Sequence, residues 1–325
     1  MAKPIIAIIG LGLTGASLGL GLQRTPGNFE VVGHDKNPDV AQQARKVGAV
    51  QRTEWNLHAA CERADMIVLA VPVGELTELF THISPDLKPT TLVFAIGKVM
   101  QPALDIAAQQ LANHTHFVVG HPILSGVGSP LTVRADLFDE VTFCLASGAH
   151  ADASAVQLAS DFIERMGAKP LFVDAQEHDG IMAGVELLPQ LVAAAQVRMN
   201  TSAASWRESR RLAGRQFAQA TELDYSADQL FSALLGNREN MLLRIQQLQR
   251  ELTEWRELLS AEPQSGQPHP LLSALKAVVD ARDEWAAQAM LKNWDVALAP
   301  EAPQSQGAIR QMFFGNLMGR AKNRP

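Results

Sequence analysis

The 325-residue chain is 47% hydrophobic and 19% charged, enough apolar material for packed cores and too little charge for wholesale disorder. Its net charge of −6 offers no basic footprint for nucleic acid, and its two cysteines, Cys61 and Cys144, form no zinc cluster and suit a reducing compartment. No uncharged apolar stretch of about 18 residues is present to span a membrane, so the expectation is a soluble, cytoplasmic protein of two domains acting on a small molecule, with no metal.

Residues 4–9, Pro-Ile-Ile-Ala-Ile-Ile, predict a buried parallel strand. Gly10-Leu11-Gly12-Leu13-Thr14-Gly15 comes next, and residues 16–22 can wind as a helix. Residues 29–34 predict a second strand that ends at Asp35, 20 residues after Gly15. Strand, glycine turn, helix, strand and acid at that spacing are the parts of a dinucleotide-binding βαβ unit. Gly10 permits the tight turn, Gly12 lets a pyrophosphate approach backbone N–H groups, and Gly15 lets helix and strand pack closely. Asp35 is the expected acceptor for the ribose hydroxyls of NAD and would repel the 2′-phosphate of NADP. Lys36 beside it weakens that exclusion, so NAD is the expected cofactor and NADP the alternative.

Further strands are expected at 66–71, closed by Pro72, at 91–95, at 117–119, at 141–146 and at 170–173, with a helix over 151–166. Val71 and Pro72, at the end of a central strand, join Gly10, Leu11, Gly12, Leu13, Thr14, Gly15, Asp35 and Lys36 as cofactor-binding candidates. The alternation implies an α/β fold, a Rossmann-type doubly wound parallel sheet. From Glu177 onward no strand pattern remains. Residues 178–199 predict a long apolar helix kinked at Pro189. Within 227–261, Met241, Ile245, Leu248, Leu252, Trp255 and Leu259 repeat at spacings of 4, 3, 4, 3 and 4. That seam fits packing within a helical domain and a homodimer interface equally well. Residues 262–268 and 299–307 are linkers around a helix at 271–294. The tail from Ile309 carries four basic residues and no acid, and could dock on the body or on a partner subunit. The expected domains are 1–175, NAD-binding; 176–298, an all-helical substrate and dimerisation domain; and 299–325, linker and tail.

The strand that runs into Gly120-His121-Pro122-Ile123 narrows the field, because ligands of doubly wound sheets sit at the strands' carboxyl ends. With the glycine turn, Val31-Val32-Gly33-His34-Asp35-Lys36-Asn37-Pro38, Ala64-Asp65-Met66-Ile67-Val68-Leu69-Ala70-Val71-Pro72-Val73 and Asn237-Arg238-Glu239-Asn240, the chain resembles the prephenate/arogenate dehydrogenase family. Asp136-Leu137-Phe138 and Glu177-His178-Asp179 fall in their expected places. The resemblance implies a Rossmann-type domain followed by a helical dimerisation domain. It also implies NAD(P)-dependent oxidative decarboxylation of a cyclohexadienyl acid on the tyrosine pathway. Hydride leaves ring C4 for the nicotinamide while a base takes the hydroxyl proton, and His121 matches the family's catalytic histidine.

The resemblance has departures. Where the family carries Gly-Ser-Val-Lys this chain has Gly97-Lys98-Val99-Met100, so Lys98 stands in the serine's place and becomes a catalytic candidate. Glu186-Leu187-Leu188-Pro189-Gln190 replaces Ser-His-Leu-Pro-His, residues 217–221 lack the family's arginine, and Ser125-Gly126-Val127 replaces a glutamate. Substrate contacts are therefore expected from Ser125, Glu186, Gln190 and Arg215, with Arg211 nearby. A divergent member acting on another cyclohexadienyl-type acid and an inactive NAD-binding protein are the alternatives. A β-hydroxyacid dehydrogenase would want a lysine within 178–199, and none is there.

Overall fold

The computed structural model describes residues 3–24, 27, 29–111, 114, 116–124, 131–262 and 268–291. Strands β1 (Ile5–Ile9), β2 (Glu30–His34), β3 (Arg52–Thr53), β4 (Met66–Leu69), β5 (Leu92–Ile96), β6 (Phe117–Pro122), β7 (Thr142–Ser147) and β8 (Lys169–Phe172) form one sheet in the order β3-β2-β1-β4-β5-β6-β7-β8. Alternate residues feed two cores. Ile8, Phe94 and Phe143 face one side with Leu18 and Phe162, while Ala7, Ile67 and Val93 face the other with Phe80 and Phe117. The period of two along strands covered on both faces explains why the central strands β1, β4, β5 and β6 read as nearly continuous apolar runs.

Two features depart from the expected parallel sheet. β7 runs antiparallel to β6, with His121 opposite Cys144, while every other neighbouring pair is parallel. A parallel pair needs a long crossover, usually a helix, and the described residues between β6 and β7 form none. β3 has only two residues and pairs with β2 at the edge, too short to leave a periodic signal in sequence.

Among the described residues no strand follows β8. The expected kink at Pro189 is instead a π-turn, Ala183–Leu187, between helices Ala175–Met182 and Leu188–Thr201. Pro189 lies in the first turn of the second helix, where a missing N–H leaves no bond unmade. The run Ala175–Thr201 has the length and apolar character of a membrane span. Its buried His178 and Asp179 nevertheless bond to His121 and to the backbone of Met100 and Gln101, which ties it to the sheet. Ser226 and Gln229 close a capping box on helix Ala227–Gly236. Asn237 ends that helix, and helices Arg238–Ser260 and Pro270–Leu291 follow.

By packing, the chain forms two compact units, residues 1–249 and 250–325. Val99, beyond β5, packs with Ala183, Leu187, Ala233 and Met241, so the first helices after the sheet share a core with it. Of the apolar seam, Met241 is buried in that core, whereas Leu252 and Leu259 are 58% and 68% exposed. Ser125, residues 263–267 of the first linker, the end of the helix expected to reach 294 and the tail 299–325 lie outside the described residues.

Candidate active site

The glycine turn adopts the geometry that its spacing requires. Gly10 has φ +88°, and a side chain there would stand 2.4 Å from the carbonyl oxygen of Ala70. At Gly15 a Cβ would fall 1.9 Å from the Gly10 carbonyl oxygen, so only glycine lets helix Leu13–Arg24 start this close to β1. A Cβ on Gly12 meets nothing within 4 Å, which leaves open space at the N-terminal end of that helix for a phosphate group. One oxygen of Asp35 accepts from the Leu11 N–H at 2.8 Å and the other from the Asn37 N–H at 2.8 Å. Each retains a lone pair for a ribose hydroxyl. Lys36 donates to Glu75 at 2.7 Å, so its charge is already partnered. An apolar hollow lined by Val71, Ala95, Gly97, Val99 and Val119 lies at the carboxyl ends of β4, β5 and β6. Pro72 follows Val71 and precedes a short 3-10 turn, Val73–Glu75. These residues fit a dinucleotide cofactor.

His121 is the penultimate residue of the buried β6 and is 2% exposed. Its Nδ1 lies 3.0 Å from Nε2 of His178, whose Nδ1 lies 2.9 Å from Oδ1 of Asp179. The Asp179 carboxylate also accepts the N–H groups of Met100, at 2.8 and 3.1 Å, and of Gln101, at 2.9 Å, where helix Gln101–Gln110 begins. These contacts fix the tautomers. A carboxylate only accepts, so His178 donates from Nδ1 and presents a lone pair at Nε2. His121 must then donate from Nδ1, which leaves its Nε2 as a free base. Burial, outweighing the nearby Glu186, pushes the His121 imidazole down to about 3, so it rests neutral. The Asn-Arg-Glu-Asn motif holds this relay from behind: Asn237 donates to the Asp179 carbonyl at 2.7 Å, and Asn240 donates to Asn237 at 2.8 Å.

On the far side of His121, Oε2 of Glu186 lies 3.6 Å from Nε2. Oε1 of Glu186 accepts from Lys98 and from the Tyr225 hydroxyl, the latter at 2.5 Å, and the Lys98 ammonium sits 4.0 Å from the Tyr225 ring centre. Burial works to raise the Glu186 pKa, but Lys98, His121 and the two hydrogen bonds prevail and hold it below the ordinary carboxylate value. Burial and the neighbouring Glu186 raise the Tyr225 hydroxyl, which stays a donor. Gln190 joins Asp224 on both sides, donating to its carboxylate at 3.2 Å and accepting its backbone N–H at 3.0 Å. It thereby fixes the segment that carries Tyr225. Arg215 opens the exposed helix Arg215–Ala220, and Arg211 lies on an exposed turn; no hydrogen bond or ion pair joins either to this cluster.

The comparisons agree with this geometry. A family model for the prephenate dehydrogenase nucleotide-binding domain matches residues 18–171, and one for the prephenate dehydrogenase dimerization domain matches residues 174–277. A prephenate dehydrogenase of Lactococcus lactis subsp. cremoris is 29% identical over 255 residues, spanning 77% of this chain and 69% of that protein. A probable prephenate dehydrogenase of Streptomyces niveus is 30% identical over 257 residues, spanning 78% of this chain and 68% of its own. The chain belongs to the prephenate dehydrogenase family. It is an oxidoreductase with a nucleotide-binding domain. Its fold also matches the crystal structure of prephenate dehydrogenase from A. aeolicus in complex with hydroxyphenyl propionate and NAD+, with a TM-score of 0.78 at 22% identity over 87% of this chain and 99% of that one.

Within the family frame, two departures visible in sequence prove to be partners. Lys98 and Glu186, each in a position where the family motif has serine, form one ion pair. Sequence reading placed His121 but gave no role to His178, Asp179 or Tyr225. The Glu-His-Asp triplet at the start of the long helix was the available signal for the first two. Tyr225, the only tyrosine in the chain, left none.

The Asp35 geometry carries a prediction. NAD should bind more tightly than NADP, because a 2′-phosphate would meet the carboxylate while Lys36 is held by Glu75. Asp35→Ser should narrow or reverse that preference in titration calorimetry. Equal affinities in the unmodified protein would remove the argument.

Proposed function

We propose that this protein oxidises and decarboxylates prephenate or arogenate in tyrosine biosynthesis, with NAD as the hydride acceptor and His121 as the base. The reading rests on one observation above all: the Asp179–His178 relay leaves Nε2 of His121 with a lone pair at the carboxyl edge of the sheet. Nε2 takes the proton of the ring hydroxyl as the C4–H bond breaks. Lys98, after β5, is the cation placed to stabilise charge building on the ring oxygen. Departure of the C1 carboxylate as CO₂ leaves a phenolate, and His121 returns its proton to that oxygen. The proton is borrowed and restored, so His121 needs only a brief residence as imidazolium. Val71 and Val99 in the apolar hollow would exclude water from the hydride path.

The test is reduction of NAD by purified protein with prephenate and arogenate in parallel, with CO₂ measured alongside. One CO₂ per reduced cofactor is expected with at least one of the two acids. No reduction with either would sink the proposal.

The helical half is read as the dimer surface. Leu252, Leu259, Val278 and Val279 are exposed in the single chain, and residues 174–277 match a dimerization domain. Light scattering at micromolar concentration should give twice the chain mass of 35.2 kDa. A value near 35.2 kDa would contradict a homodimer.

A further inference from the structure

Base catalysis by His121 creates a cation in a site that is nearly closed to solvent, and a buried charge without a partner is costly. The groups facing His121 from the elements packed around it are few. His178 comes from helix Ala175–Met182, Lys98 from the turn after β5, Glu186 from the π-turn, and Cys144 from β7. The Cys144 thiol is pushed up to about 11 by burial and stays neutral. Asp179 is already occupied by His178 and two backbone N–H groups. Lys98 would repel the new cation. Glu186 is the anion left to answer it.

Resting on His121 as the base, we propose that Glu186 is a positioning residue that stabilises the transient imidazolium, one carboxylate oxygen keeping Lys98 in place while the other sets its negative charge beside His121. At rest Oε1 takes Lys98 and Tyr225, and Oε2 lies 3.6 Å from Nε2, outside hydrogen-bond distance. Once Nε2 has taken the proton its N–H points back at the ring oxygen, and the Oε2 carboxylate oxygen 3.6 Å away offsets the new charge through space. Atoms balance throughout. The substrate O–H bond breaks, the His121 N–H bond forms, the proton later returns to the ring oxygen, and Glu186 stays ionised. Lys98 remains positioned for the ring oxygen because Tyr225 and Glu186 hold it from two sides. The backbone supports the reading: Glu186 sits inside the π-turn, an irregularity that frequently marks functional sites in helices. Asp224 also faces this group, but it is tied to Gln190.

The test compares the full-length wild type with Glu186→Gln and Glu186→Asp, using whichever acid the wild type oxidises, in C4-protio and C4-deuterio form. The glutamine variant keeps one oxygen for Lys98 and Tyr225, loses the charge, and sets an NH₂ donor beside Nε2, which disfavours the imidazolium in the same direction. It should lower kcat by about tenfold, the equivalent of one pKa unit at His121. The deuterium effect on kcat should rise, and the acid limb of the pH profile should move to lower pH. KM for substrate and Kd for NAD by calorimetry should stay within about twofold, as expected when an interaction made only during the reaction is lost. Glu186→Asp should recover part of the rate. Unchanged kcat in Glu186→Gln would overturn the inference alone. So would loss of kcat together with NAD affinity and without recovery in the aspartate variant, which marks a structural role. Failure of the wild type to oxidise either acid would remove the parent reading, and this one with it.

Discussion

His121→Asn should cut kcat by at least about a hundredfold while leaving NAD affinity unchanged. The two effects separate because the cofactor contacts lie elsewhere. Gly10, Gly12, Gly15 and Asp35, the residues proposed to hold the dinucleotide, lie at β1 and β2, whereas His121 belongs to β6. Asparagine is polar enough to keep a hydrogen bond to His178 but has no group able to accept the hydroxyl proton at neutral pH. The check is kcat at saturating substrate together with titration calorimetry on the same preparation. A variant within tenfold of the wild type would place the base elsewhere, with Glu186 the nearest anion.

The second large effect is expected at a residue that touches no reacting atom. Asp179→Asn changes almost nothing in size, yet it should lower kcat by about a hundredfold to ten-thousandfold, as reversing a tautomer does in a serine hydrolase triad. The Met100 and Gln101 N–H groups require an acceptor, so the amide oxygen stays on the helix Gln101–Gln110 and the amide NH₂ turns to His178. Nδ1 of His178 must then accept, its Nε2 must donate to Nδ1 of His121, and His121 is left protonated at Nε2 with no lone pair for the substrate. NAD affinity should hold, and ¹⁵N spectra of the histidines should show both rings switched to the opposite tautomer. Full activity, or low activity with both tautomers unchanged, would show that the relay does not orient the base.

Much of this was legible before folding. The glycine spacing and Asp35 gave the dinucleotide turn, because each glycine there answers a steric demand made by residues within one βαβ unit. Short β-rich runs marked seven of the eight strands among the described residues, the central ones as nearly continuous apolar stretches because strands buried on both faces need no alternation. His121 was found through its motif at a strand end.

The sequence by itself thus determined the local features: which turn has the glycine geometry of a dinucleotide site, which central strands are buried, and which histidine lies at the sheet edge. Tertiary structure alone decided how that histidine is used. Lys98 and Glu186 are 88 residues apart, and singly they read as a catalytic candidate and a substrate contact; only the packing of the π-turn over the end of β5 makes them one ion pair. Gln190 read as a substrate contact; the structure adds that it bonds Asp224 on both sides, because helix Leu188–Thr201 meets the segment before Ala227–Gly236 there. The tautomer of His121 depends on backbone N–H groups at a helix start 79 residues from Asp179. Hydrogen bonds of that kind follow from three-dimensional register, and residue spacing along the chain carries no trace of them.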